Sequence, residues 1–376
     1  MSNKKESDIN LILVYNFAPL YREPIFKLID NNWGCHWIFG KNKSDIKEMD
    51  TSNLYKVTKI DNKQILGNFY IQKGLNKLLK EENDADILML GEIYNISSWL
   101  VLFSNIFRRK KRKIYLWSHG WYGREDKIKK VLKNIYFGLA NKTFLYGNYA
   151  KQIAIKQRFP EKKLFVIHNS LDYDNQLKIR DTLIQTNIYK NHFKNDNYNL
   201  IFIGRLTKVK KLDLLIKALY KLKQQNIEYN LTLIGSGEED LSLRDLVKQY
   251  DLKNQVWFFG SCYDDNINAE LIYNADLCVA PGNVGLTAMH TMVFGTPVIS
   301  HDDFKWQMPE FEAIIPGKTG DFFIKDNIES LILSLKKWFE GPGNNRNKVR
   351  QECIKEIEDS WNPHFQLDIL KKHIND

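Results

Sequence analysis

The chain has 376 residues, of which 43% are apolar, 27% charged and 13% aromatic. That length suits two domains, and that composition supports sizeable cores, which excludes a disordered, collagenous or disulfide-scaffold chain. The net charge of +10 is uneven: residues 1–180 carry 32 Lys and Arg against 18 Asp and Glu, while residues 181–376 carry 23 against 27. A basic first half predicts an acidic partner surface, anionic lipid or nucleic acid. Cys35, Cys262, Cys278 and Cys353 lie far apart without metal-type pairing, as in a reducing compartment. The polar start at 1–10 does not read as a signal peptide, and no apolar stretch approaches the roughly 18–20 residues of a spanning helix. The expectation is therefore a cytoplasmic protein.

In chain order, short apolar runs at 9–14, 87–90, 114–118, 142–146 and 164–168 read as buried strands. Helical patterns, such as 23–30, separate most of them. Continuous apolar strands between helices predict a parallel sheet covered on both faces. Residues 177–196 are polar and read as a linker. The pattern then restarts, with strands at 200–204, 231–235, 256–260, 277–280 and 297–300 and helices at 212–225, 241–250 and 286–294. The expected architecture is α/β: two doubly wound, Rossmann-like domains, at 1–176 and 197–355, with residues 356–376 crossing back to the first. In open parallel sheets, ligands bind beyond the carboxyl ends of the strands, so the loops after strands carry the candidate chemistry.

Gly204-Arg205-Leu206, followed by Lys210 and Lys211, sits between a strand and a helix. Cations are unfavourable at a helix N-terminus unless an anion binds there. Cations at this position stabilise a leaving diphosphate as its charge develops. Pro281-Gly282-Asn283-Val284-Gly285-Leu286-Thr287 is a glycine-containing loop opening another helix, suited to phosphate. Gly235-Ser236-Gly237 begins like a dinucleotide fingerprint, but Asp240 replaces its third glycine, which argues against a nicotinamide or flavin cofactor. Asp84-Ala85-Asp86 precedes a strand and reads as a solvated turn, and the eight histidines show no ligand spacing, so no metal is expected.

Taken in order, residues 166–172, Phe202-Ile203-Gly204-Arg205-Leu206 with Lys210, Leu233-Ile234-Gly235-Ser236-Gly237, Val256-Trp257-Phe258-Phe259-Gly260, Phe294-Gly295-Thr296-Pro297-Val298-Ile299, and Glu312 with Gly317-Lys318-Thr319-Gly320 resemble the group 1, or family 4, retaining glycosyltransferases of the GT-B fold. The resemblance covers about 164–325 well and the first half more loosely. It implies two Rossmann-like domains facing a central cleft, the first for acceptor and the second for a nucleotide-diphosphate sugar, with UDP-sugars favoured and no further cofactor required. By the same resemblance, Arg205 and Lys210 hold the diphosphate, the main chain at Phe259 meets the base, and Gly204, Gly235, Gly285, Leu286 and Thr287 line the donor site. His119, in Trp117-Ser118-His119-Gly120, then faces the donor sugar as a catalytic residue, and Tyr21 and Arg22 face the acceptor. The family's two donor-site glutamates fall on Gly282 and His290. A neutral imidazole can still hydrogen-bond a ribose hydroxyl, Gly282 offers only backbone, and Glu310 or Glu312 is the candidate replacement carboxylate.

The helical stretch 97–107, with Trp99, Phe103 and Phe107, runs into Arg108, Arg109, Lys110, Lys111, Arg112 and Lys113. An apolar helix too short to span, ending in six cations, reads as an interfacial anchor on an anionic leaflet. Nucleic acid is not the expected partner, because the run lacks interleaved aromatics. The whole reads as a glycosyltransferase acting on a lipid-linked or polysaccharide acceptor, peripheral on the inner face of the cell membrane. The alternative is a catalytically silent nucleotide-sugar-binding partner subunit.

Overall fold

The computed structural model describes residues 10–42, 46–82 and 84–374; the expected strand start at residue 9 lies outside them. Strands β1 (Leu11–Tyr15), β2 (His36–Gly40) and β3 (Lys56–Ile60) come first, then the hairpin β4 (Asn62–Leu66) and β5 (Phe69–Gln72). They are followed by β6 (Asp86–Leu90), β7 (Ile114–Ser118), β8 (Lys142–Leu145) and β9 (Leu164–Val166). All but the hairpin form one parallel sheet ordered β3-β2-β1-β6-β7-β8-β9.

Strand alternation sends Leu11, Leu13 and Tyr15 of β1, with Tyr115 and Trp117 of β7, to one core. Ile12, Val14, Ile114 and Leu116 go to the core on the opposite face. Each face is apolar because helices cover both. The first core includes Phe26 and Ile29 from helix Glu23–Trp33 and Leu367, Leu370 and Ile374 from the last helix, Pro363–Ile374. Its end is fastened where the Tyr115 hydroxyl donates to the Ile374 carbonyl at 3.1 Å and Gln366 Nε2 donates to the His168 carbonyl at 2.8 Å. The opposite core takes Val101, Leu102, Tyr136 and Phe137 from helices Ile96–Ile106 and Lys127–Gly138.

The second sheet holds β10 (Asn199–Ile203), β11 (Asn230–Ile234), β12 (Val256–Gly260), β13 (Leu277–Ala280), β14 (Val298–His301) and β15 (Gly320–Phe323). It is parallel, in the order β12-β11-β10-β13-β14-β15. The chain divides into two compact units, one running through Asp172 and resuming at Asn362, the other spanning Tyr173–Trp361. Each sheet reverses direction once, beside β1 and beside β10. Those reversals open the crevices where α/β sheets bind ligands.

The structure adds what the apolar pattern does not carry. β2, β3, the hairpin and β15 are additional strands. The segment expected as a linker at 177–196 is partly helical, as Tyr173–Arg180 and Ile188–Phe193, and belongs to the second unit. Tyr189 ties it down: the side chain is buried and its hydroxyl donates to the Leu271 carbonyl at 2.6 Å.

Candidate functional site

In the second unit the loops after β10 and β13 meet at the strand reversal. The Gly282 N–H donates to the Lys210 carbonyl at 2.9 Å. A Cβ at Gly282 would lie 1.9 Å from the Val209 carbonyl oxygen and 2.7 Å from the Lys210 Cα. Glycine is therefore required there by contact with backbone. The Gly282 carbonyl is engaged as well, accepting from Ser300 Oγ at 3.2 Å. The sequence reading leaves the Gly282 backbone for the sugar; in the structure its N–H is committed to the Lys210 carbonyl, while its carbonyl shares the Ser300 hydroxyl with the Ala280 carbonyl, which lies closer at 2.8 Å. Gln307 braces the same loop: its Oε1 accepts from the Val284 N–H at 2.8 Å and its Nε2 donates to Ser300 Oγ at 2.8 Å.

Lys210 is held by this arrangement. Its Nζ donates to the Asn283 carbonyl at 2.7 Å, to Asn283 Oδ1 at 2.9 Å and to the Val284 carbonyl at 3.5 Å. All three acceptors are neutral. Burial brings the Lys210 pKa down to about 8, with the charge of nearby Glu310 working the other way and that of Arg205 adding to the fall. Glu310 is buried and Arg205 exposed. Gly285, at φ +54°, places its missing side chain 3.7 Å from Lys210 Nζ. The amides of Leu286 and Thr287 follow at the start of helix Thr287–Met292, where backbone donors have no intrahelical acceptor. The Thr287 hydroxyl is committed, donating to the Ile203 carbonyl at 2.8 Å.

Gly204 and Gly235 act through close approach. Their N–H groups donate to the Ile234 and Gly260 carbonyls at 2.9 and 2.8 Å. A Cβ at Gly235 would meet the Gly204 carbonyl oxygen at 1.9 Å. Phe259 is the extra residue of a bulge, since Leu233 pairs with Phe258 and Ile234 with Gly260. A bulge leaves one residue outside the ladder, so the Phe259 main chain is turned away from β11. His290 lies on helix Thr287–Met292 with its pKa lowered by burial, and Glu312 sits half-buried beside Glu310 in the 3-10 turn Pro309–Ala313.

The first unit contains a cavity of about 640 Å³ at its own strand reversal, bordered by Tyr21, Arg22, Glu92, His119, Tyr122, Glu125, Lys133 and Tyr146 among others. Sequence reasoning places Tyr21, Arg22 and His119 at strand ends, and the fold brings them to this one cavity. Gly120, at φ +64°, carries the turn after β7, and a Cβ there would meet Leu145 at 2.6 Å. The following loop is clamped by Glu125, which accepts from the Tyr122 and Gly123 N–H groups at 2.7 and 2.8 Å and from Lys133 Nζ at 2.6 Å. Burial alone would raise the Glu125 pKa, but these bonds and the Lys133 charge hold it below the usual carboxylate value. Burial, with the charges of Arg22 and Lys133, lowers His119 to about 3, so the imidazole is neutral, and its Nδ1 has no hydrogen-bond partner.

The expected membrane residues divide. Phe103 and Phe107 are exposed, as are Arg109, Lys110, Lys111 and Lys113, with Arg108 half-buried. Arg112 is a correction: it is buried and donates to the Leu79 and Glu82 carbonyls, which makes it a brace for the end of helix Leu75–Glu81. Trp99 is largely turned inward, its indole N–H donating to the Ile93 carbonyl at 2.9 Å and its ring stacked on Phe103 and tilted against Tyr136. Lys110 pairs with Asp84 at 3.0 Å, and Asp86 accepts from the Lys113 N–H at 2.9 Å. Among the described residues no group of three or more His, Cys, Asp or Glu could hold a metal ion.

The sequence reading misses a second apolar stripe. Helix Lys127–Gly138 exposes Ile128 (74%), Val131 (58%), Leu132 (41%) and Ile135 (46%). Their spacing of three and four puts them on one helix face, while Lys133 and Phe137 turn inward to line the cavity. Tyr136, whose hydroxyl donates to Ser98 Oγ at 2.8 Å, packs this helix beside Ile96–Ile106.

Two doubly wound parallel sheets, with paired cations and glycine loops at the strand reversal of the second, define a protein class that the comparisons identify. The fold aligns with that of the Anabaena protein HepE in complex with UDP, with a TM-score of 0.72 over 98% of this chain and 100% of that one, at 14% sequence identity. An uncharacterized glycosyltransferase of Haemophilus influenzae is 24% identical over 310 residues, covering 81% of this chain and 80% of that protein. The putative colanic acid biosynthesis glycosyltransferase WcaL of Escherichia coli is 28% identical over 134 residues, 30% of this chain and 33% of its own length. Residues 184–358 match the family model for glycosyl transferases group 1. The second unit is thus a group 1 glycosyltransferase domain, and the chain is a glycosyltransferase of the GT-B fold.

Proposed function

We propose that the chain transfers a sugar from a nucleotide-diphosphate donor, UDP-linked by preference, to a lipid-linked or polysaccharide acceptor in surface-polysaccharide assembly, with retention at the anomeric carbon. The second unit takes the donor and the first the acceptor. One observation carries the reading: Lys210 is an ammonium group drawn out of water at the strand reversal, bonded only to neutral acceptors, beside the amides of Gly285, Leu286 and Thr287. Such a cation accepts a diphosphate readily, because the oxygens bonded to it are neutral and the charge of nearby Glu310 does not outweigh the cost of its burial. With Arg205 it neutralises the charge that passes to the leaving phosphate as the glycosidic bond breaks. His290 and the Phe259 main chain meet the nucleoside, Glu310 or Glu312 the sugar, and neutral His119 offers a hydrogen bond to a sugar hydroxyl.

The relatives support the setting, since WcaL is named for colanic acid biosynthesis and HepE was crystallised with UDP. No helix among the described residues is long and apolar enough to cross a membrane. The exposed stripe of helix Lys127–Gly138 and the exposed cations Arg109, Lys110, Lys111 and Lys113 support docking on an anionic leaflet. The same helix walls the cavity of the first unit, which would bring a lipid-linked acceptor and its site to one surface.

The test is calorimetric titration of UDP, GDP, dTDP and CMP into the full chain at pH 7 and pH 9. One nucleotide should bind, should lose at least about ten-fold in affinity in Arg205→Ala, and should bind about ten-fold more weakly at pH 9, where Lys210 is mostly deprotonated. A folded chain that binds none of them, or binds one equally well at both pH values, refutes the assignment of Lys210.

A further inference from the structure

We infer that the cavity of the first unit receives an acceptor carrying an anionic group, a carboxylate or a phosphate, which lies against the Arg22 guanidinium. The inference deepens the proposed function and rests on its assignment of the first unit to the acceptor.

Arg22 is only 5% exposed, yet no carboxylate accompanies it. Its Nη2 donates to the Tyr146 hydroxyl. The guanidinium carbon stands 5.0 Å from the ring centres of both Trp117 and Tyr146, 5.6 Å from that of Tyr21 and 5.7 Å from that of Tyr15. Aromatic faces attract a cation but do not accept its N–H groups in line. Nη1 has no well-formed hydrogen bond, and the Tyr21 phenol adds only a further neutral partner to the guanidinium. A buried guanidinium without an opposite charge is costly to fold and is normally paired.

The carboxylates bordering the cavity do not answer it. Glu125 is engaged by Lys133 and two backbone N–H groups. Glu92 accepts from the Tyr70 hydroxyl at 2.9 Å and is biased toward its neutral form by burial. A purely structural clamp between the start of helix Glu23–Trp33 and β8 would explain the bond to Tyr146. It would not explain a second orphan, His119 Nδ1, on the same cavity. The two atoms mark a place where an anionic oxygen and a neighbouring polar group of one ligand complete the bonding. A planar guanidinium presents paired donors that match a carboxylate or a phosphate. Two sources share that chemistry: an acidic sugar in the acceptor glycan, and the diphosphate that joins a sugar to a lipid.

The experiment uses the full chain with Arg205→Ala and Lys210→Ala together, so that no anion reports from the second unit. Glucuronate, pyrophosphate and glucose are titrated separately at constant ionic strength. One of the two anions should bind at least about ten-fold more tightly than glucose; glucuronate leading identifies an acidic glycan, pyrophosphate a lipid diphosphate. Adding Arg22→Gln should abolish the preference, and Arg22→Lys should keep part of it. Equal binding of glucose, no binding of either anion, or an unchanged preference in Arg22→Gln overturns the inference. Should Arg22→Gln not fold, the comparison of anions with glucose and the Arg22→Lys variant still decide. UDP binding by the native chain is measured alongside. Intact UDP binding without anion preference sinks this inference alone, and the reverse sinks the donor assignment alone.

Discussion

Gly282→Ala is the smallest change that should disable the second unit's site. The added Cβ would stand 1.9 Å from the Val209 carbonyl oxygen and 2.7 Å from the Lys210 Cα, both backbone atoms with no rotamer to escape into. The loops after β10 and β13 must part by more than an ångström, which lengthens the 2.9 Å bond from the Gly282 N–H to the Lys210 carbonyl. Overpacking of this kind costs about 1–3 kcal/mol and the lost bond about 1 kcal/mol, for a total of about 2–4 kcal/mol. In a domain of this size each kcal/mol moves the melting temperature by about 2–4 °C, so a fall of about 4–16 °C is expected. Because Lys210 moves with the loop, nucleotide affinity should fall as well. Gly282→Glu, which introduces the carboxylate the resembling family carries there, should be worse than alanine. Asn283→Ala, which removes one acceptor at 2.9 Å but no backbone contact, should be far milder. The assay is thermal melting with and without UDP. A Gly282→Ala chain that melts within about 2 °C of native and is stabilised equally by UDP would refute the reasoning.

Acid should destabilise the chain through His119. Its folded pKa of about 3 lies below the ordinary 6.5, so the unfolded chain binds the proton first. Its contribution is complete above pH 6.5 and is lost toward pH 3 at up to about 1.4 kcal/mol per pH unit, or about 2 kcal/mol by pH 5. His119→Asn should flatten denaturant-derived stability between pH 6.5 and 4 relative to native, and parallel curves would contradict the assignment. His168, lowered to about 4 chiefly by burial, adds a slope common to both chains. Membrane docking is tested by the combined variant Ile128→Ser, Val131→Ser and Ile135→Ser. It should lose sedimentation with phosphatidylglycerol vesicles while each change shifts stability by no more than about 0.5 kcal/mol. Undiminished sedimentation would remove the helix from the interface.

Much of the architecture is written in local pattern. Runs such as Leu11–Tyr15 and Asn230–Ile234 are buried on both faces, so they need no alternation and declare themselves as parallel strands. Of the strands that escaped notice, β2 is fully buried but is only five residues long and begins with His36, and the others lack that mark. β3 is a sheet-edge strand with two lysines, the hairpin β4–β5 is largely exposed, and β15 opens with glycine and aspartate. Arg205, Lys210 and the Gly285 loop stood out as candidates because polar and glycine residues follow where the apolar run stops, at the strand ends where α/β sheets bind ligands.

What sequence could not decide was direction and company. The stripe Ile128, Val131, Leu132 and Ile135 has the spacing of a core face; only the inward packing of Tyr136 and Phe137 forces it outward. Arg112 sits in a run of six cations, and the backbone carbonyls that claim it come from residues some thirty positions away. Gly282 reads as a lost glutamate until the Val209 carbonyl is seen to occupy the space of its side chain. Arg22 reads as an acceptor-facing loop residue, and nothing in the sequence shows that four aromatic rings close around it. Sequence by itself determined most of the central strands, their parallel arrangement and which loops follow them, because those follow from local burial periodicity. The tertiary structure alone decided which charges are buried, which glycines are obligatory and which apolar face meets solvent, because these depend on contacts between residues far apart along the chain.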